Sequence, residues 1–408
     1  MSLEPGGPPI KTTPSPFITR VRLREYKSIA SCDVAPGAFS VLVGPNGSGK
    51  SNFLDALALI SDALNGSLER ALQARGGPQA VHRQPRHSEE PVRIAIEFHP
   101  TAETSGQFEL ALETEHGGGF RVLQEVCSLK PNGASTATPE YRYRVESSRV
   151  IEWPTNDPPV ASADSLYLVR VSGVPEFRPA FDALSRIRIC SFDPSRIPPV
   201  TPPRASDHLA ADASNLPSVI RRLQAESPEI REDIEIYLRS ILPSLRSVEA
   251  VAIGNFETLE FVLQTGAEVH RFPTSNISNG TLRALALLVA VLQPASNHGG
   301  TASLIGIEEP EKAIHPTAVA ALGDAFLDAS QATQVMVSTH SPDFLDNEAI
   351  TSRNVIAVGI RDGVTHLGKL DDFGQSVLRD GLFTLSELMR QNHLRPRLPA
   401  GLSSLTVR

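Results

Sequence analysis

Cysteine is scarce in this chain of 408 residues: Cys32, Cys127 and Cys190 stand far apart and are odd in number. With no CxxC pair and no Cys/His cluster, neither a disulfide framework nor a zinc centre is indicated, and a reduced, cytoplasmic compartment is expected. An excess of basic charge is also missing. The formal net charge is -8, which argues against a general polyanion binder, because nonspecific nucleic-acid binding needs Lys and Arg to neutralise phosphates. A local basic groove stays open. No apolar run approaches a membrane span. The longest, "LRALALLVAVL" from Leu282, has the length of a buried helix, so no membrane contact is expected. Sustained heptads and internal repeats are absent, which disfavours a long coiled coil. The N-terminal "MSLEPGGPPIKTTPSPF" has no apolar core and is rich in Pro and Gly, so residues 1–16 are expected to be a disordered lead-in and not a signal peptide.

What remains is ordinary globular composition, 40% hydrophobic and 21% charged, in a chain long enough for about two or three lobes. "ITRVRLREY" and "FSVLVG" read as strands, and "SNFLDALALISDALNG" as a helix ended by Asn65-Gly66. Between Pro91 and Val171, the segments "VRIAIEF", "FELALETE", "YRYRVE" and "SLYLVRV" alternate and are parted by turn residues, which predicts an antiparallel meander. These elements define a first lobe over 17–192. The Pro-rich "DPSRIPPVTPPRASD" predicts a linker at 193–207. Helical patterns near Leu216–Ala225 and Glu229–Ile241, then alternating strands and helices, predict an α/β second lobe over 208–360. Residues 361–408 form an extension with no motif.

"GPNGSGKS", Gly44 to Ser51, matches GxxxxGK[ST] between a predicted strand and a predicted helix, the context a phosphate loop requires. Consecutive backbone N–H groups of Gly44, Pro45, Asn46, Gly47, Ser48 and Gly49 (Pro45 excepted, which has none) would form an anion nest at a helix N-terminus. Lys50 would reach the β- and γ-phosphates, Ser51 would ligate Mg²⁺, and Asn52 closes the motif. A chance match in a chain of this length is on the order of one in a hundred before the flanks are required. No guanine-reading NKxD pattern is present, so ATP is favoured over GTP.

The stretch "VRLREYKSIASCDVAPGAFSVLVGPNGSGKSNFLDAL" resembles the head of ABC-type ATPases of the RecF/SMC-like branch, which includes the overcoming-lysogenization-defect nucleases. In the family's order follow "ISNGTLRALALL", similar to its signature, "SLIGIEEPE", similar to Walker B running into the D-loop, and "STHSPDFLD", similar to the switch-histidine loop. "SFDPSRIPP" and "ASNLPSVIRRL" also resemble segments of such stand-alone ATPases, and the likeness spans roughly 18–360. It implies a P-loop NTPase fold of ABC-head type: a mixed, antiparallel meander in lobe I and an α/β lobe II. It implies ATP and Mg²⁺ as ligands. Glu308 would hold the metal, Glu309 would activate the attacking water and His340 would contact the γ-phosphate, with Lys50 as a further catalytic group. Ser278 and Gly280 would reach ATP held by a second protomer, in a homodimer that sandwiches nucleotide.

Departures matter too. Walker B here opens with Glu308 where Asp is usual, and no Q-loop glutamine can be assigned. Only 68 residues (341–408) follow His340, too few for the C-terminal nuclease of overcoming-lysogenization-type proteins. The resemblance therefore implies DNA as a sensed partner and a separate nuclease or toxin as effector, in phage defence or DNA repair. The alternative is an ATP-gated scaffold that restrains an effector without binding DNA. Plainer readings stand beside these: Ser278 as a helix N-cap, His340 as a core histidine, Glu311–Lys312 as an exposed charged pair, and Tyr26–Lys27 as an exposed strand end.

Overall fold

The computed structural model describes residues 16–84, 90–114, 118–132, 140–204, 208–293 and 302–398. The expected lead-in, Pro16 apart, lies outside the described residues, as do 205–207 of the linker and 399–408 of the extension. One mixed sheet of 13 strands dominates. In chain order its members are β1 (Ile18–Tyr26), β2 (Ile29–Val34), β3 (Phe39–Val43), β4 (Val92–Thr101), β5 (Thr104–Thr114), β6 (Phe120–Pro131), β7 (Tyr141–Glu146), β8 (Arg149–Glu152) and β9 (Ile187–Cys190). A separate antiparallel sheet of three follows: β10 (Leu245–Ile253), β11 (Phe256–Thr265) and β12 (Glu268–Pro273). The large sheet then resumes with β13 (Leu304–Glu308), β14 (Gln334–Thr339), β15 (Val355–Arg361) and β16 (Val364–Gly368).

The order across the large sheet is β8-β7-β6-β5-β4-β1-β2-β16-β15-β3-β14-β13-β9. The run β15-β3-β14-β13-β9 is parallel throughout. Its strands are mostly apolar, as burial on both faces demands, and in β3 and β14 the residues Phe39–Val43 and Gln334–Thr339 are buried at every position. The other half is the expected meander, antiparallel from β2 through β1 and β4 to β8. The halves join at β16, which pairs antiparallel with β15 and parallel with β2 through one register pair, Thr365↔Ile29. The sheet runs across the Pro-rich segment, since β9 before it adjoins β13 after it.

Helices cover both faces. On one, the Lys50–Asn65 helix buries Phe53, Leu54, Leu57 and Ile60 against the sheet, and Gly66 ends it by donating its N–H to Asp62 O at 3.0 Å. On the other lie the helices Leu216–Glu226, Pro228–Ile241, Asn279–Leu292 and Pro316–Ala329. Asn279–Leu292 is buried continuously from Thr281 to Val291, so it is core on every side, as its uniformly apolar sequence requires.

Two expectations need correction. "SLYLVRV" is not a strand; Tyr167–Arg170 is a single helical turn. The cause is non-local. Glu125, fully buried on β6, accepts the free first-turn N–H groups of Tyr167 (2.6 Å) and Leu168 (2.8 Å), and the Tyr143 hydroxyl at 2.6 Å. Burial pushes this carboxyl up to about 7, against the pull of Tyr143 and those two amides. Within lobe II, residues 245–273 form the antiparallel β10–β12 sheet on their own and do not join the α/β layer.

Candidate functional site

Parallel strands place their C-terminal ends on one edge, and there the chain turns at β3, β13 and β14. After Val43 the backbone passes so close to β15 that a Cβ on Gly44 would lie 2.0 Å from Val358 O. Gly47 and Gly49 take φ of 75° and 100°, the left-handed region that only glycine enters freely. That turns successive N–H groups toward one side as a nest. Asn46 is exposed at the tip, while Ser48 is fully buried and its Oγ has no hydrogen-bond partner among the described residues. A buried polar atom left open at the loop's hollow, a left-handed glycine pair and a helix N-terminus together fit a phosphate.

Lys50 Nζ donates to Gly44 O (2.8 Å) and Pro45 O (3.0 Å), which holds the ammonium at the mouth of the loop. Burial lowers its pKa, and the Glu309 and Glu311 carboxylates oppose that shift. Behind the loop, Thr365 of β16 donates its hydroxyl to Ser48 O at 2.8 Å and meets Ser28 Oγ at 2.7 Å; Asn52 Nδ2 donates to the same Ser28 at 2.7 Å.

The acids divide at the end of β13. Glu308 is the last strand residue, and its carboxyl is raised by burial, with the Ser51 hydroxyl pulling the other way and the Asp55 and Glu309 charges adding to the rise. A cation seated there would relieve that burial, so Glu308 and Ser51 are the residues that could hold Mg²⁺. Among the described residues no group of three or more His, Cys, Asp or Glu could hold a metal by itself. Phosphate oxygens and water would complete the shell. Glu309 leaves the strand with φ 45° and donates its N–H to Ser338 O at 2.9 Å. Its carboxylate stands 3.5 Å from His340 Nδ1, just past the end of β14. Both side chains are partly open to solvent, 34% and 39% exposed, so a substrate can reach them.

Ser278 caps its helix by accepting Thr281 N–H at 3.2 Å. A Cβ on Gly280 would lie 2.5 Å from Ala313 O in the turn after β13. The contacts seen for the two residues are thus to Thr281 and Ala313. Tyr26 and Lys27 are not an exposed pair: Tyr26 is buried, and both bond Asp55 Oδ2, at 2.6 and 2.5 Å. A cleft of about 1160 Å³ opens beside Gly44, Pro45 and His340, walled by Ile360, Met389 and Leu394.

Sequence reasoning missed three groups here. Glu311 is not exposed, since its side chain is 8% accessible and bonded to the switch loop. Arg283, buried in the signature helix, donates to the carbonyls of Phe192, Glu308 (3.2 Å) and Glu309 (2.9 Å). Thr365 lies in a segment with no motif. For Arg283 the signal was present, an arginine inside an otherwise apolar helix; for Thr365 there was none.

The GxxxxGK[ST] loop, the Glu308–Glu309 strand end and His340 lie together on one edge of a parallel sheet, the layout of a P-loop NTPase fold. The comparisons agree. A structure described as "Crystal structure of the SmcHead bound to the C-winged helix domain of ScpA" is similar at 16% identity and TM-score 0.54, covering 88% of this chain and 99% of that one. A second, an Smc head domain with an extended coiled coil bound to the C-terminal domain of ScpA, derived from Pyrococcus furiosus, is similar at 15% and 0.53, covering 90% and 100%. These likenesses show that the chain has the fold of an Smc head domain. Among curated proteins none matches the chain. The family described as "AAA domain, putative AbiEii toxin, Type IV TA system" matches residues 39–346, and the chain belongs to it. Among the described residues no helix is long and apolar enough to cross a membrane.

Proposed function

We propose that this protein hydrolyses ATP, closes as a homodimer around it and transmits its nucleotide state to a separate effector. The observation that carries the reading is the convergence of Lys50, the Ser51–Glu308 pair, Glu309 and His340 on one sheet edge. Phosphoryl transfer asks little of a protein beyond position and charge, and this set supplies both. The loop amides and Lys50 would bind the phosphates. Glu309 would orient water and take its proton, and His340 would bond the γ-phosphate. Mg²⁺, when bound by Ser51 and Glu308, would neutralise charge on the phosphate oxygens. Ser278 and Gly280, at the start of the Asn279–Leu292 helix, would serve the partner's ATP.

The effector is inferred from two supports: the family's toxin–antitoxin description and the ScpA domain bound by the similar Smc heads. A nuclease or toxin acting in phage defence is the form favoured here, with DNA as the sensed partner. The ATP-gated scaffold that binds no DNA has its own support. Several arginines of the antiparallel half are matched by acids, as in Arg20–Asp33, Arg22–Glu97, Arg142–Glu152 and Arg144–Glu146. Duplex and single-stranded DNA added at low salt separate the two: stimulated turnover supports DNA sensing, and an unchanged rate supports the scaffold. For the core reading, Lys50→Ala should abolish ATP binding, while Glu309→Gln should bind ATP and accumulate as a closed dimer. Normal turnover by Glu309→Gln would refute the assignment.

A further inference from the structure

We infer that Glu311 is a positioning residue for His340, one that also keeps the histidine off the proposed base Glu309. This rests on the ATPase reading above. Past Glu309 the backbone makes a short turn, with Lys312 N–H donating to Glu309 O (3.1 Å) and Ile314 N–H to Glu311 O (3.1 Å), and it carries Glu311 back across the end of β14. There one carboxylate oxygen, Oε1, accepts the Thr339 hydroxyl at 2.8 Å and the His340 backbone N–H at 3.0 Å, and lies 3.3 Å from His340 Nδ1. Thr339 Oγ1 in turn accepts Ser341 N–H at 3.0 Å. The carboxylate therefore holds the switch loop on both sides of His340 and its ring as well.

Cost argues that the charge has a purpose. The side chain is 8% exposed and its second oxygen, Oε2, is buried with no partner among the described residues. Burying half a carboxylate unpaired is unfavourable, and an amide would satisfy Thr339 and the backbone N–H equally well. What only the carboxylate adds is a negative group facing Nδ1. That keeps the proton on Nδ1, fixes the ring plane and leaves Nε2 for substrate. Glu309 approaches the same Nδ1 from 3.5 Å. By out-competing it, Glu311 leaves the Glu309 carboxylate available to water. Without Glu311 the ring would pair with Glu309, and the step after binding would suffer while ATP affinity, set by the phosphate loop, would not.

The test is steady-state ATP hydrolysis by the full chain and its Glu311→Ala, Glu311→Gln, His340→Ala and doubly substituted Glu311→Ala/His340→Ala forms, each with a melting curve. Glu311→Ala should lower kcat by about tenfold or more with KM for ATP within about twofold. Glu311→Gln should recover only part of the loss. The double variant should be no slower than His340→Ala alone, a non-additivity that a merely structural glutamate would not produce. If Glu311→Ala does not fold, lowered kcat at unchanged KM and melting temperature in Glu311→Gln supports the role, and wild-type kcat overturns it. An inactive wild type overturns the ATPase reading itself. An active wild type with Glu311→Ala at full kcat, or with effects that multiply, overturns this inference alone.

Discussion

Replacing Glu125 by glutamine isolates one buried ionisation in the meander, far from the phosphate loop in sequence. Burial raises this carboxyl from 4.5 to about 7 in the folded chain. At 1.36 kcal/mol per unit, that difference is worth about 3 kcal/mol. Between the two values the folded protein keeps a proton that the unfolded chain has lost. The group's contribution to stability is therefore complete below about pH 4.5 and is lost as pH rises through about 7. Glutamine cannot ionise, and its amide oxygen can still accept from Tyr143 or the helix turn. Urea unfolding followed from about pH 5 to about pH 8 should show the wild type losing about 2–3 kcal/mol relative to Glu125→Gln, with parallel curves above that range. Parallel curves throughout, or a wild type that gains on the variant as pH rises, would refute the reasoning. The first result would mean that the three donors, Tyr143, Tyr167 and Leu168, offset burial, and the second that they outweigh it and hold the carboxylate charged.

Thr365→Val removes the donor to Ser48 O, and the loss of about 1 kcal/mol should weaken ATP binding roughly fivefold by calorimetry; an unchanged Kd would deny β16 a part in shaping the loop. Gly280→Ala places a Cβ 2.5 Å from Ala313 O, so ATP-dependent dimerisation measured by sedimentation should fall while binding by single protomers persists. Chelating Mg²⁺ with EDTA should stop turnover and weaken nucleotide binding without abolishing it, because Lys50 and the loop amides remain.

The phosphate loop was legible because every part of its signal is local: two left-handed glycines, a lysine at the helix start and an apolar strand before it. The places of Glu308, Glu309 and His340 were legible for a similar reason, since they lie at or just past the ends of short buried strands that read as strands. Illegible features depend on residues distant in the chain. Tyr167–Arg170 alternates like a strand, and only the carboxylate of Glu125, some forty residues earlier, makes it helical. Glu311 looks like surface charge until the 339–341 loop folds over it. The pairing of β16 between β2 and β15 has no periodicity to announce it, because Val364–Gly368 is five residues long and half exposed.

That pairing has a mechanical consequence. Along the β5–β6 ladder eleven register pairs share any load, whereas β16 and β2 are stitched at Thr365↔Ile29 alone. Strand pairing between the antiparallel and parallel halves rests on that one register pair, with the two bonds between Gln334 and Ile18 as a second tie, and Thr365 also grips the carbonyl of Ser48. Strain on the antiparallel half would therefore reach the phosphate loop through Thr365. Amide hydrogen exchange should find this seam, with residues 364–368 exchanging ahead of 104–114 and slowing when ATP is bound.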